Sequence, residues 1–220
     1  MNVPFVFFAS GRGSNFDAIT AAGSFNIRAL VTDRADALVI PKAKKLGIPT
    51  HVLPFPVGPA AELESRREQY GNELLSVLKP YAPRFLVLGG FMRILPRAVI
   101  QHFISGQGYS RIVNIHPSLL PSFPGRESYT QAFRYGAQVT GVTVHLVDEE
   151  MDSGPICAQE AFRIDDCKDE TEVQARGLAI EHRLFVTTLQ WVLPEKFEII
   201  ERKFVMPDQS HVRRICVRPS

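Results

Sequence analysis

No stretch of this sequence approaches the roughly 18 continuous apolar residues that span a bilayer. Its apolar start, residues 1–10, lacks a basic flank and a small-residue cleavage site. A membrane span and a secretory leader are therefore not expected, and the chain is placed in the cytoplasm. Cysteine is scarce: Cys157, Cys167 and Cys216 are odd in number, widely spaced and form no Cys-x-x-Cys pair. That argues against a disulfide framework or a zinc knuckle and for buried free thiols. A dominant charge is missing too. The 25 Lys and Arg nearly balance the 23 Asp and Glu, leaving a formal net charge of +2, so no broad basic surface for nucleic acid is expected. An anionic small molecule needs only a local pocket. No repeat, low-complexity tract or flexible linker divides the chain. What is present, 220 residues of which 45% are hydrophobic, suffices for one domain with a sizeable core.

Hydrophobic patterning predicts an α/β chain. The apolar run 3–9 reads as a buried strand entering a tight turn at Ser10-Gly11-Arg12-Gly13, with Ser14 or Asn15 capping a helix to about residue 23. Residues 27–32 read as a second strand, 35–46 as a helix closed by Gly47, and 49–53 as a third strand. A Pro-rich loop, 54–59, precedes a helix over 60–79 with Leu63, Tyr70, Leu74 and Leu78 on one side and a solvated charged face. Residues 85–88 and 111–115 are short apolar runs expected to lie side by side and parallel. A Pro-rich loop over 117–125, a helix over 128–135 and strands over 139–146 and 156–164 follow. The longest helix is expected over 171–191, started by Asp169 or Thr171 and ended before Pro194, with a short terminal hairpin over 197–217. In such an alternation ligands bind beyond the carboxyl ends of the strands.

The loop Ser10-Gly11-Arg12-Gly13-Ser14-Asn15 puts two glycines where a strand becomes a helix. Backbone N–H groups and the positive helix end can then approach an anion, a phosphate above all. Glycines at such turns also occur for steric reasons. A dinucleotide-dependent oxidoreductase is a competing class: Asp33 lies at about the distance of a ribose-binding acid, but Phe16 stands where a third glycine is needed.

Asn114-Ile115-His116-Pro117-Ser118 closes the fifth strand, where alternation sends Asn114 and His116 to the same side. The acidic loop Asp148-Glu149-Glu150-Met151-Asp152-Ser153-Gly154-Pro155, between two strands, can bring Asp152 against the His116 imidazole and favour its charged form. An ordinary solvated turn is the plain alternative. A nucleophile attacking a carbonyl carbon generates an oxyanion, which an amide and an imidazolium stabilise. A carboxylate working through the histidine or water completes the proton transfers.

The sequence resembles the glycinamide ribonucleotide formyltransferase family. The matching motifs are Ser10-Gly11-Arg12-Gly13-Ser14-Asn15, Gly90-Phe91-Met92-Arg93-Ile94-Leu95, Asn114-Ile115-His116-Pro117-Ser118-Leu119-Leu120-Pro121, and Val144-His145 with Asp152-Ser153-Gly154-Pro155, in that order up to about Leu193. The resemblance implies a Rossmann-like formyltransferase fold with a mostly parallel central sheet flanked by helices. It implies a single domain, 1–220, whose residues 1–100 form a phosphate and nucleotide half and 101–220 a catalytic and folate half. It also implies transfer of a formyl group from 10-formyltetrahydrofolate to glycinamide ribonucleotide, with small-molecule partners, neither nucleic acid nor membrane, no metal, and a monomer or homodimer. By position, Asn114, His116 and Asp152 would perform the transfer, and Gly13, Ser14, Asn15 and Glu181 would hold the ribonucleotide. Arg67, Met92, Arg93, Ile94 and Leu95, with Asn114, Asp148, Glu149, Glu150, Met151 and Asp152, would surround the folate. Arg67 is also readable as a surface charge beside Arg66, Met92, Ile94 and Leu95 as core, and Arg93 as structural. His145 is read as a structural histidine outside the catalytic set.

Two departures bear on the acceptor. Leu178, three residues before Glu181, replaces a residue that is commonly polar in the family, and Arg126-Glu127-Ser128-Tyr129 replaces a more usual apolar and His-containing stretch. Methionyl-tRNA formyltransferases resemble longer chains with an RNA-binding domain and an Arg-Gly-Ala-Ala-Pro stretch. Formyltetrahydrofolate hydrolases carry a regulatory domain before this one, whereas here the first motif begins almost at Met1. Hydrolysis is the runner-up, beside transfer to another amine such as an amino-sugar nucleotide. A non-catalytic sensor would be expected to lack one of Asn114, His116 and Asp152.

Overall fold

Strands that are apolar on both faces must be covered on both. In the computed structural model, which describes residues 2–206 and 208–220, the strands β1 (Pro4–Phe8), β2 (Asn26–Thr32), β3 (Thr50–Val52), β4 (Phe85–Leu88) and β5 (Ile112–His116) pair in parallel. The antiparallel strands β6 (Val139–Leu146) and β7 (Ile156–Arg163) extend them into a seven-stranded sheet of order β3-β2-β1-β4-β5-β6-β7. The helices are α1 (Ser14–Ala21), α2 (Val39–Lys45), α3 (Ala60–Leu78), α4 (Arg97–His102), α5 (Ser128–Tyr135) and α6 (Glu170–Val192).

Alternation along β1 sorts the layers. Phe5 and Phe7 pack with Phe16, Val39 and Phe185 from α1, α2 and α6. Val6 and Phe8 face the other way, onto Tyr70 and Leu74 of α3 and Val99 of α4. Phe5, Phe7 and Phe8 are fully buried, each contributing on the order of 1.5–3 kcal/mol. The sheet is thus a mostly parallel layer between helices, as expected. Among the described residues no helix is long and apolar enough to cross a membrane.

Several boundaries differ from the sequence reading. The helix expected from residue 35 begins at Val39, because Arg34 and Asp36 pair at 2.7 Å and Ala37 N–H bonds to the Arg34 carbonyl, closing a turn first. The N-cap of α1 is Gly13 in the left-handed conformation, with no side-chain cap from Ser14 or Asn15. The six-residue α4 was not anticipated, being too short to show a helical period. The terminal hairpin is longer than expected, with nine-residue strands β8 (Phe197–Val205) and β9 (His211–Pro219). Of the thiols, Cys157 alone is buried and Cys167 and Cys216 are half-buried. Asp169 does cap α6, accepting from the Glu172 N–H at 2.9 Å.

The consequence for function lies at β1. Its neighbours are β2 on one side and β4 on the other, so the strand order reverses there and leaves a crevice beyond the carboxyl ends. Ser10 N–H donates to the Gly90 carbonyl at 3.0 Å and Met92 N–H to Ser10 Oγ at 2.9 Å, tying the two glycine-containing loops together across that crevice.

Candidate active site

The loop after β1 is shaped for an anion. Gly13 has φ 70°, and a Cβ there would sit 2.5 Å from Val39 Cγ2, so both conformation and space require glycine. With no side chain capping α1, its first N–H groups stay available at the positive helix end. Ser14 opens the helix. The Asn15 side chain turns inward instead, and its Nδ2 donates to Glu181 Oε2 at 2.9 Å. The Tyr129 hydroxyl donates to Glu181 Oε1 at 2.9 Å. Glu181 is therefore buried with both oxygens engaged. Burial, with the adjacent Glu181 charge and hydrogen bond, pushes the Tyr129 phenol far above its ordinary range. The rival ribose acid is committed elsewhere: Asp33 Oδ2 accepts from Arg93 Nε at 2.6 Å, and its side chain is 1% exposed.

The carboxyl end of β5 carries the residues expected to react, Asn114 and His116. Asn114 and His116 face the same way, and the β5–β6 register sets Asn114 opposite His145. His145 Nδ1 lies 3.0 Å from the Leu146 carbonyl, which only accepts, so this nitrogen carries the hydrogen. Its Nε2 is then a lone pair that accepts from Asn114 Nδ2 at 3.1 Å. Burial pushes the His145 pKa below the usual histidine range, outweighing the Leu146 carbonyl and the Asp152 carboxylate. A neutral His145 thus orients the Asn114 amide and leaves its second N–H free.

His116 Nε2 lies 3.0 Å from the Phe123 carbonyl and 3.1 Å from Ser128 Oγ. That nitrogen carries a hydrogen, and Nδ1 takes the second proton when the ring is charged. Asp152 Oδ2 stands 3.5 Å from His116 Nδ1 and Oδ1 3.8 Å from His145 Nε2, close enough for charge interaction and longer than a hydrogen bond. Gly125 N–H fixes Asp152 Oδ2 at 2.9 Å. Asp152 itself is held at φ 55°, a left-handed conformation that a non-glycine residue adopts at a cost. Two residues on, a Cβ on Gly154 would lie 1.8 Å from the Leu146 carbonyl oxygen, so the acidic loop passes hard against β6.

The residues expected around a folate divide into groups. Arg66 is engaged by Glu62 and the Val57 carbonyl, whereas the half-buried Arg67 has an Nε without a partner among the described residues. Met92 and Ile94 are 49% and 54% exposed, while Leu95 is core at 4%. Arg93, paired with Asp33, stacks over the Phe55 ring at 5.4 Å. Arg126 reaches the Met92 carbonyl at 3.1 Å, joining the Pro-rich loop to that segment. Asp148 Oδ1 accepts from the Glu150 N–H and Ser153 Oγ within its own loop. Glu149 turns to Arg97 and Gln101, and Glu150 and Met151 are exposed. Sequence reasoning read His145 as structural and Ser128 and Tyr129 only as part of a departure, and it left out Gly125. The alternation of β6 carried a signal for His145, but its pairing with Asn114 is a long-range register. Among the described residues no group of three or more His, Cys, Asp or Glu could hold a metal ion.

A reversal-point crevice with a glycine loop, flanked by an oriented amide, two imidazoles and a carboxylate, defines an α/β enzyme built for acyl transfer rather than hydride transfer. The chain belongs to the formyl transferase family, whose profile matches residues 3–189. It is similar to the phosphoribosylglycinamide formyltransferase of Escherichia coli (strain K12), 35% identical over 206 residues that cover 91% of each chain. The Bacillus subtilis (strain 168) phosphoribosylglycinamide formyltransferase is 34% identical over 194 residues, 86% of this chain and 94% of that one. Among solved structures, the phosphoribosylglycinamide formyltransferase from Coxiella burnetii superposes with a TM-score of 0.78 at 32% identity, covering 90% of each chain.

Proposed function

We propose that this enzyme transfers the formyl group of 10-formyltetrahydrofolate to the amine of glycinamide ribonucleotide, giving formylglycinamide ribonucleotide and tetrahydrofolate in purine synthesis. The observation that carries the reading is the convergence of Asn114, His116 and Asp152, with Asn114 oriented by His145. The acceptor amine attacks the formyl carbon, and a C–N bond forms as the carbonyl oxygen takes negative charge. The free Asn114 N–H and the His116 imidazolium stabilise that oxyanion. Asp152 balances the imidazolium and moves the amine proton toward the folate nitrogen, whose bond to the formyl carbon then breaks.

Gly13 and Ser14 receive the ribonucleotide phosphate at the α1 N-terminus, while Asn15 and Glu181 define the sugar end. The exposed apolar Met92 and Ile94, with the unpartnered Arg67 Nε, suit a donor with flat rings and an anionic tail. Arg93, Leu95 and residues 148–151 frame that donor, mainly through backbone. The chain acts as one formyltransferase unit, residues 1–100 supplying the phosphate loop and 101–220 the reacting groups. We place it in the cytoplasm, where free thiols stay reduced, as a monomer or homodimer.

Hydrolysis and transfer to another amine are not favoured, since the relatives named above are phosphoribosylglycinamide formyltransferases. The test is tetrahydrofolate release from 10-formyltetrahydrofolate with and without glycinamide ribonucleotide. Release that requires the acceptor supports transfer; equal release without it means hydrolysis and overturns the reading.

A further inference from the structure

Tyr129 occupies a seat that the rest of the chain is arranged to provide. A Cβ on Gly177 of α6 would fall 2.1 Å from the Tyr129 hydroxyl oxygen, so the phenol lies where any other residue's side chain would begin. Glycine inside a helix costs about 1 kcal/mol relative to alanine, and α6 carries that cost at the contact. The ring is 7% exposed and meets Phe162 edge-on at 6.1 Å. Its hydroxyl donates to Glu181 at 2.9 Å, and Glu181 in turn receives Asn15 from the phosphate-loop helix. The preceding residue, Ser128, touches His116 Nε2 at 3.1 Å. The first turn of α5 therefore joins the acceptor end of the site to its reacting end. A carboxylate has about four lone-pair positions. The two donors leave Glu181 with acceptor capacity in a fixed orientation, suited to neighbouring hydroxyls.

We infer that Tyr129 is a positioning residue for the acceptor: its phenol, seated over Gly177, orients Glu181 to receive the hydroxyl-bearing sugar of the ribonucleotide amine. The inference rests on the transfer reading above and adds the residue that tunes its acceptor end. Leu178, which adds no polar group beside this seat, leaves sugar recognition to Glu181 and the residues that hold it.

Two variants disturb the same hydrogen bond by different routes. Tyr129→Phe removes only the oxygen, and Gly177→Ala keeps the phenol but drives it from its seat. Initial rates are measured with glycinamide ribonucleotide and 10-formyltetrahydrofolate varied in turn. For both variants the KM for the ribonucleotide is expected to rise about tenfold, the loss of one hydrogen bond to a charged group. In Tyr129→Phe, which leaves the turn in place, the folate KM and kcat should stay within about twofold. An unchanged ribonucleotide KM in Tyr129→Phe, or a loss spread equally over both substrates and kcat, overturns the inference. Wild-type protein without acceptor-dependent transfer would instead overturn the transfer reading, so the two failures are separable.

Discussion

At the scale of single residues, the site depends on which hydrogen bonds are already spent. Asn114 gives one amide hydrogen to His145 and keeps the other, so Asn114→Ala should lower kcat by about a hundredfold to a thousandfold, as for other oxyanion donors. Initial rates check this, and an undiminished kcat would remove Asn114 from the mechanism. His145 carries a second prediction, because burial holds its pKa below that of an unfolded chain. Above about pH 6.5 the ring is neutral in both states; below it the unfolded chain takes up a proton that the native ring resists. This residue therefore withdraws stability as pH falls, by at most about 1.4 kcal/mol per unit. Urea unfolding of His145→Gln between pH 7.5 and 5.5 should show a smaller acid-induced loss than wild type. An equal loss would mean that the ring titrates alike in both states. The convergence of Asn114, His116 and Asp152 was readable because their motifs are compact and sit at strand ends. The place of His145 was not, since nothing local states that β6 pairs with β5 in a register that sets it against Asn114.

At the scale of elements, strands and turns were readable where composition leaves little choice. Apolar runs bounded by glycine or proline became β1, β2, β4 and β5, and Asp169 capped α6. Boundaries that depend on side-chain pairing escaped, as at α2, where the Arg34–Asp36 pair holds a turn in front of the helix. The cap of α1 escaped because Gly13, in the left-handed conformation, takes the cap position and leaves Ser14 and Asn15 inside the helix. The acidic loop is the element on which turnover should depend most. A Cβ at Gly154 would meet the Leu146 backbone oxygen at 1.8 Å, and backbone cannot swing aside as a side chain can. Gly154→Ala should displace Asp152 from His116 and lower kcat at least about tenfold, a loss comparable with removing a positioned acid or base. Far-UV circular dichroism should stay close to wild type. Wild-type turnover in this variant would show that the loop position does not govern the reaction.

At the scale of the whole molecule, the candidate site draws on distant parts of the chain: the loop after β1, the segment after β4, the end of β5, the β6–β7 loop and the middle of α6. The fold that carries it is held in part by contacts far from the chemistry. Glu195, between α6 and β8, accepts from Tyr109 at 2.7 Å and Arg111 at 2.7 Å and pairs with Arg84, clamping the start of the terminal hairpin to the starts of β4 and β5. Glu195→Ala would leave two arginines and a phenol without their acceptor, and with the arginines partly open to solvent it should destabilise the fold by about 1–2 kcal/mol. Urea unfolding measures this loss, and kcat per folded molecule should remain near wild type; an unchanged midpoint would make the clamp incidental. The central claim, that the formyl group passes directly from folate to the ribonucleotide amine, is tested most directly by following the carbon. With 10-formyltetrahydrofolate labelled with carbon-13 in its formyl group and with glycinamide ribonucleotide present, mass spectrometry should find the label in formylglycinamide ribonucleotide, mole for mole with tetrahydrofolate released. Label recovered as free formate, with the ribonucleotide unmodified, would contradict it.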